Sequence, residues 1–165
     1  MLQLIGLFFI VNFFTERKGL WDLLLAWREA SKEGEFRRKA ALIVKSTPLY
    51  QGRRVERALR MWVENFPFVA PIALFEFHIP EEELAELMRA CYVYVSPHRL
   101  EGFGYSVFQA LACGLPVIYT DASGPAEYLS KDCGWPVRVA RREPDPEFER
   151  QGIGIKWARP SIKGL

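Results

Sequence analysis

Short apolar runs alternate along this chain with stretches of helical period, and that alternation leaves few folds open. Leu4 to Val11, Ala40 to Val44, Phe68 to Phe77, Cys91 to Val95, Pro116 to Tyr119 and Trp135 to Val139 read as strands. Their apolar character is continuous, as in strands covered on both faces. Between them, Leu20, Leu23, Leu24 and Trp27 share one helix face, as do Val55, Leu59, Trp62 and Val63. A further helix starts at Pro80 with Glu81, Glu82 and Glu83 in its first turn, and aligns Leu84, Leu87, Met88 and Cys91. Proline and acidic residues both favour a helix start. The expected class is α/β, a Rossmann-like doubly wound parallel sheet. Ligands of such sheets bind at the carboxyl ends of the strands, here Asn12–Lys18, Lys45–Thr47, Phe77–His78, Ser96–Gly104 and Asp121–Gly124.

Composition sets outer limits. The 165 residues are half hydrophobic and a quarter charged, with a net charge of +2. That charge is too small to argue for nucleic acid or a membrane surface. Cys91, Cys113 and Cys133 are odd in number and lack C-x-x-C spacing, which favours reduced thiols in the cytoplasm and gives no metal signal. The apolar stretch Leu2 to Phe14 is shorter than the ~20 residues a membrane span needs; it has no basic flank or small-residue cleavage site and reads as a buried strand. Residues 1–140 are expected to form the sheet domain. Residues 141–165, with Pro144, Pro146 and Pro160 and little periodicity, read as an extended tail truncated before final helices.

One stretch carries chemistry. After the apolar run ending at Val95 come Ser96-Pro97, a charged turn with Glu101, then Gly102-Phe-Gly104 and a helical pattern placing Val107, Phe108, Leu111 and Ala112 together. Glycines let a backbone approach a ligand closely. The free amides and positive dipole end of the following helix suit an anion, and Glu101 can accept hydroxyl hydrogen bonds. A phosphate bound beside a polyol suggests a sugar nucleotide. The first turn lacks G-x-G-x-x-G, and the chain has no G-x-x-x-x-G-K-[ST], which disfavours NAD binding and excludes a P-loop ATPase.

The residues Ser96 to Ile118, with Glu101-Gly-Phe-Gly104 and Ala110-Leu-Ala-Cys-Gly-Leu-Pro-Val117, resemble the donor-binding signature of retaining GT-B glycosyltransferases of group 1, family 4. Lys18-Gly19, Asp121 to Glu127 and Gly154 to Pro160 are similar to further segments of that family. The resemblance implies a cytoplasmic enzyme of two Rossmann-like domains, compatible with a peripheral position on a membrane. This chain corresponds to the carboxyl-terminal, donor-binding half. It implies a nucleoside-diphosphate-sugar donor, a hydroxyl acceptor such as a glycan held mainly by a missing amino-terminal domain, and no metal or other cofactor. By the same resemblance, Lys18 pairs with the donor diphosphate and Glu101 holds donor-sugar hydroxyls. Phe103 and Gly104 lie against phosphate and sugar, with Tyr105 and Glu127 nearby.

Two positions depart from the pattern. The residue eight after Glu101 should be a second glutamate gripping ribose hydroxyls, but it is Gln109. An amide offers one acceptor and one donor group in place of a carboxylate, a loss of about 1–3 kcal/mol. An arginine is expected five residues before Lys18, where Phe13 stands, and Arg17 is taken as its substitute. Plainer readings stand beside these: Lys18 as an exposed helix-start lysine, Gln109 as surface, Glu127 as a helix cap. His98 is read as a structural loop residue; Lys45, ending a strand, as a ligand contact or a solvated lysine; and Arg53, Arg54, Arg57 and Arg60 as a solvated helix face. A degenerate, non-catalytic nucleotide-sugar-binding or interaction domain is the alternative function.

Overall fold

The structure is a computed structural model and describes residues 5–11, 16–46 and 54–165; Phe13, Thr47 and Arg53 lie outside them. Six parallel strands form the main sheet: β1 (Ile5–Val11), β2 (Ala40–Ser46), β3 (Ile72–Glu76), β4 (Val93–Ser96), β5 (Val117–Thr120) and β6 (Gly134–Val137). Their order, β3-β2-β1-β4-β5-β6, is that of a Rossmann sheet. The chain leaves β1 toward one edge and returns through β4 toward the other, so β1 and β4 flank the switch point. The expected fold class is the observed one.

Helices α1 (Leu20–Ala30), α2 (Gly34–Lys39), α3 (Arg54–Asn65), α4 (Glu81–Arg89), α5 (Tyr105–Ala112) and α6 (Pro125–Tyr128) connect these strands. Alternation along the strands divides the core between the two sheet faces. Val93 and Val95 of β4 join Leu42 and Val44 under α1 and α3. Tyr94, between them, joins Met88, Val107, Ala110 and Val117 under α4 and α5. Leu20, Leu23, Leu24 and Trp27 are all buried as their spacing predicts, and each such burial contributes about 1.5–3 kcal/mol. Trp27 also donates its indole N–H to the Ala70 carbonyl at 2.9 Å.

Two expectations are corrected, and one helix had not been foreseen. The buried residues of α5 are Ser106, Val107 and Ala110, whereas Phe108 is 47% exposed and Ala112 exposed. The small Ala110 lets the helix approach the sheet, and Phe108 packs instead against Phe103, ring centres 5.4 Å apart. Helix α2 has no apolar period to announce it. It is held by Phe36, edge-on to Trp27 at 5.0 Å, and by a Lys39–Glu35 pair one turn apart.

Residues 141–165, expected as extended loop, carry regular structure. Strand β7 (Val139–Pro144) runs into the short helix α7 (Pro146–Glu149) and returns as β8 (Lys156–Pro160), antiparallel to β7. This ribbon gives no hydrophobic signal because ion pairs fasten it. Arg141 pairs with Glu143 at 3.0 Å, and Glu143 and Arg159 reach the buried Arg99 and Asp22. No described helix is long and apolar enough to cross a membrane. The three cysteines are free, and burial pushes the Cys91 thiol up to about 11.

Candidate functional site

At the switch point, a one-turn 3-10 helix (Glu16–Lys18) follows β1, and the Pro97–Gly104 loop follows β4. Gly19 joins the turn to α1 with φ 73°, and a β-carbon there would lie 1.9 Å from the Pro97 carbonyl oxygen. Only glycine allows the two loops to touch. The backbone N–H of Arg99 then donates to the Arg17 carbonyl at 2.8 Å, locking them together.

This contact gathers three of the expected residues. The Lys18 ammonium pairs with Glu101 Oε1, and Arg17 lies 3.3 Å from Oε2 while donating to the Leu100 carbonyl at 2.7 Å. Burial alone would raise the Glu101 carboxyl, but Lys18, by charge and hydrogen bond, and then Arg17 outweigh it and hold it below the ordinary carboxylate value. The stability contributed by a lowered carboxyl is present above its unfolded value and lost as pH falls through the folded one. Removing Lys18 leaves burial opposed chiefly by Arg17. The Glu101 carboxyl of Lys18→Ala is therefore expected to titrate at a higher pH than in the parent chain; carbon-detected NMR of the side-chain carboxyl checks the direction.

A second loop braces the first. Ser123 Oγ accepts the Glu101 N–H at 3.1 Å, and the Gly124 N–H donates to the Glu101 carbonyl at 3.2 Å. A β-carbon on Gly124 would sit 1.4 Å from the Gly102 oxygen, so the loops meet backbone to backbone. Gly102, by contrast, faces open space. Three residues after Glu101, Gly104 starts α5 with φ 76° and no side-chain cap. Its carbonyl accepts the Val107 and Phe108 amides, while the amides of Tyr105 and Ser106 in the first turn precede these bonds. Such amides suit an anion.

The remaining expected residues are placed as follows. Phe103 is 56% exposed and stacks on Tyr128, centres 5.2 Å apart, whose hydroxyl donates to the Phe103 carbonyl at 2.9 Å. Tyr105 and Gln109 line a cleft of about 310 Å³ between α4 and α5. Glu127 is exposed on α6, and among the described residues no ion pair joins it to Lys18 or Arg17. His98 is fully buried: Nε2 donates to the Ala122 carbonyl at 3.1 Å, and Nδ1 accepts from Ser96 Oγ at 3.0 Å. Burial lowers its pKa, so it acts as a neutral brace between the β4 and β5 loops. Lys45 is buried at the end of β2, its ammonium 2.6 Å from the Ser46 carbonyl. Arg57 and Arg60 are exposed on α3, Arg60 paired with Glu56 at 3.1 Å.

Sequence reasoning missed Arg99 and Asp22, each 2% exposed. Arg99 Nε donates to Asp22 Oδ2 at 2.7 Å, and its Nη1 lies 3.3 Å from Glu16 and 3.7 Å from Glu143. Arg99 thus ties the 3-10 turn, α1 and the β7–β8 ribbon together. The available signal was Asp22 itself, an acid set among Leu20, Leu23 and Leu24, which a buried helix face tolerates only with a partner. Among the described residues, no group of three His, Cys, Asp or Glu side chains gathers as metal ligands.

A sequence profile described as "Family 4 Glycosyltransferase in conflict systems" matches residues 15–152, spanning the whole site. The chain belongs to this glycosyltransferase family. Its fold is one Rossmann-like half of a GT-B glycosyltransferase. Among solved structures, the family 4 domain is similar to WaaG, a glycosyltransferase of lipopolysaccharide biosynthesis, with TM-score 0.64 and 24% identity over 82% of this chain and 34% of that one. Sucrose-phosphate synthase of Thermosynechococcus elongatus aligns with TM-score 0.66 and 23% identity, over 83% of this chain and 33% of the enzyme. Anabaena HepE, solved in complex with UDP-glucose, aligns with TM-score 0.62 and 18% identity, over 77% and 32%. O-antigen chain mannosyltransferase B of Escherichia coli is 34% identical over 52 residues, 32% of this chain and 14% of that protein. The chain thus spans about a third of the solved relatives' length.

Proposed function

We propose that this domain binds the nucleoside-diphosphate-sugar donor of a retaining, metal-independent glycosyltransferase. The observation that carries the reading is the partly buried Glu101 carboxylate, held ionised by Lys18 and Arg17, beside the uncapped start of α5. Glu101 accepts donor-sugar hydroxyls. Lys18 and the α5 amides face the diphosphate and stabilise the charge that develops as it leaves. An acceptor hydroxyl attacks the anomeric carbon from the face the diphosphate departs. The bond to phosphate oxygen breaks, the new glycosidic bond forms, and the hydroxyl proton passes to the departing phosphate. An amino-terminal domain supplies most of the acceptor site, so the isolated chain binds donor and turns over little.

A second reading rests on Gln109, whose amide replaces the carboxylate that would grip the ribose: a degenerate interaction domain that no longer holds a nucleotide. Calorimetric titration with UDP, GDP and ADP separates the outcomes. Binding of one nucleotide in preference to the others is expected. No binding of any overturns the donor reading and leaves a degenerate domain.

A further inference from the structure

The loop that carries Glu101 is held from behind by the turn after β5 and by the helix that turn opens, α6. At the Leu100–Glu101 peptide, the carbonyl accepts Arg17 at 2.7 Å and the N–H donates to Ser123 Oγ at 3.1 Å. The Glu101 carbonyl accepts the Gly124 N–H at 3.2 Å. Two residues on, the Phe103 carbonyl accepts the Tyr128 hydroxyl at 2.9 Å. We propose that Ser123 and Tyr128 are positioning residues for the donor. The Ser123 hydroxyl sets Glu101 for the sugar, and the Tyr128 hydroxyl sets the Gly104 amide for the diphosphate.

Ser123 is strained where it stands. Its φ of 57° makes it the one non-glycine residue, among those described, in the left-handed region. A side chain is disfavoured there, and glycine would be the relaxed choice. Such a conformation persists where its surroundings over-determine it, and it concentrates at functional sites. What serine supplies and glycine lacks is the hydroxyl, which donates to the Ala122 carbonyl at 2.7 Å while accepting the Glu101 N–H. The same Ala122 carbonyl takes His98 Nε2 at 3.1 Å, so the hydroxyl is tied to the brace between the β4 and β5 loops. Arg17 and Ser123 grip opposite sides of one planar peptide. The backbone beneath the Glu101 carboxylate is thereby kept from turning.

Tyr128 acts at the other end of the loop. A trans peptide points its carbonyl and its N–H in opposite directions, so pinning the Phe103 carbonyl to Tyr128 turns the Gly104 N–H away from it. That N–H has no hydrogen-bond partner among the described residues and directly precedes the Tyr105 and Ser106 amides at the start of α5. Burial, and then the charge of Glu101, hold the Tyr128 phenol above its ordinary pKa, which keeps it a donor. Its ring stacks on Phe103 with planes 28° apart, a contact that phenylalanine would keep while losing the hydroxyl. Both roles rest on the donor reading above; the hydrogen bonds do not.

Calorimetric titration of the parent chain and its variants with UDP-glucose, GDP-mannose and ADP-glucose, and with UDP, GDP and ADP, tests the pair. Ser123→Gly and Ser123→Ala are each expected to weaken the bound nucleotide sugar about fivefold, while its free diphosphate stays within about twofold. Glycine relieves the backbone and alanine does not, so an effect common to both belongs to the hydroxyl. Tyr128→Phe is expected to weaken both ligands about fivefold and leave their ratio unchanged. A ratio in Ser123→Gly equal to the parent's overturns the role of Ser123, and diphosphate affinity unchanged in Tyr128→Phe overturns that of Tyr128. In the ligand-free chain, the Glu101 amide of Ser123→Gly is expected to exchange with solvent about fivefold faster. An unchanged rate overturns the Ser123 contact whatever binds. A parent chain that binds no nucleotide or nucleotide sugar overturns the donor reading, and both positioning roles with it.

Discussion

Replacing Arg99 by methionine is expected to lower the free energy of unfolding by about 3 kcal/mol. Arg99 and Asp22 are each 2% exposed and joined at 2.7 Å, so the substitution leaves a buried carboxylate without its main partner. The lower end of the range for broken buried pairs applies because Arg159 stays 3.3 Å from the other Asp22 oxygen. Chemical denaturation measures the loss. Arg99→Met/Asp22→Leu, which removes both charges, is expected to recover a large part of it. A single variant as stable as the parent would show that the network is ornamental and that the ribbon is not fastened through it.

The largest effect on ligand binding is expected from Glu101→Ala. Hydrogen bonds to a charged group contribute about 1.5–3 kcal/mol each, so affinity for a nucleoside-diphosphate sugar should fall about 10- to 100-fold. Affinity for the matching free nucleoside diphosphate should hold or rise, because Lys18 and Arg17 lose their internal counter-ion. The ratio of the two dissociation constants is therefore the readout. Equal losses for both ligands would mean that Glu101 holds the loop and does not touch the sugar.

Much of the fold was legible because its strands are continuous apolar runs and its helices keep a clean period. Leu20, Leu23, Leu24 and Trp27 announce α1, and Pro80 with three glutamates announces α4. What escaped was held by polar contacts. The β7–β8 ribbon reads as loop because Arg141, Arg142 and Glu143 occupy a strand, and strands are normally recognised by apolar side chains. The phase of α5 was misread for a related reason: Phe108 is apolar but serves an exposed aromatic cluster with Phe103 and Tyr128.

At the site, Glu101 and the glycine loop could be found from local spacing. Their pairing with Arg17 and Lys18 could not, since Lys18 and Glu101 lie 83 residues apart and only the parallel order of β1 and β4 brings them together. Arg99 was hidden for the same reason. Its partners Glu16, Asp22 and Glu143 come from three elements, and no short motif encodes them.

A crystal structure of the chain with UDP-glucose, GDP-mannose or ADP-glucose, whichever binds, tests the central claim most directly. The account predicts the diphosphate against Lys18 and the Tyr105 and Ser106 amides, with sugar hydroxyls within hydrogen-bond distance of Glu101. A bound donor that leaves Glu101 in its pair with Lys18 and seats its sugar elsewhere would contradict it.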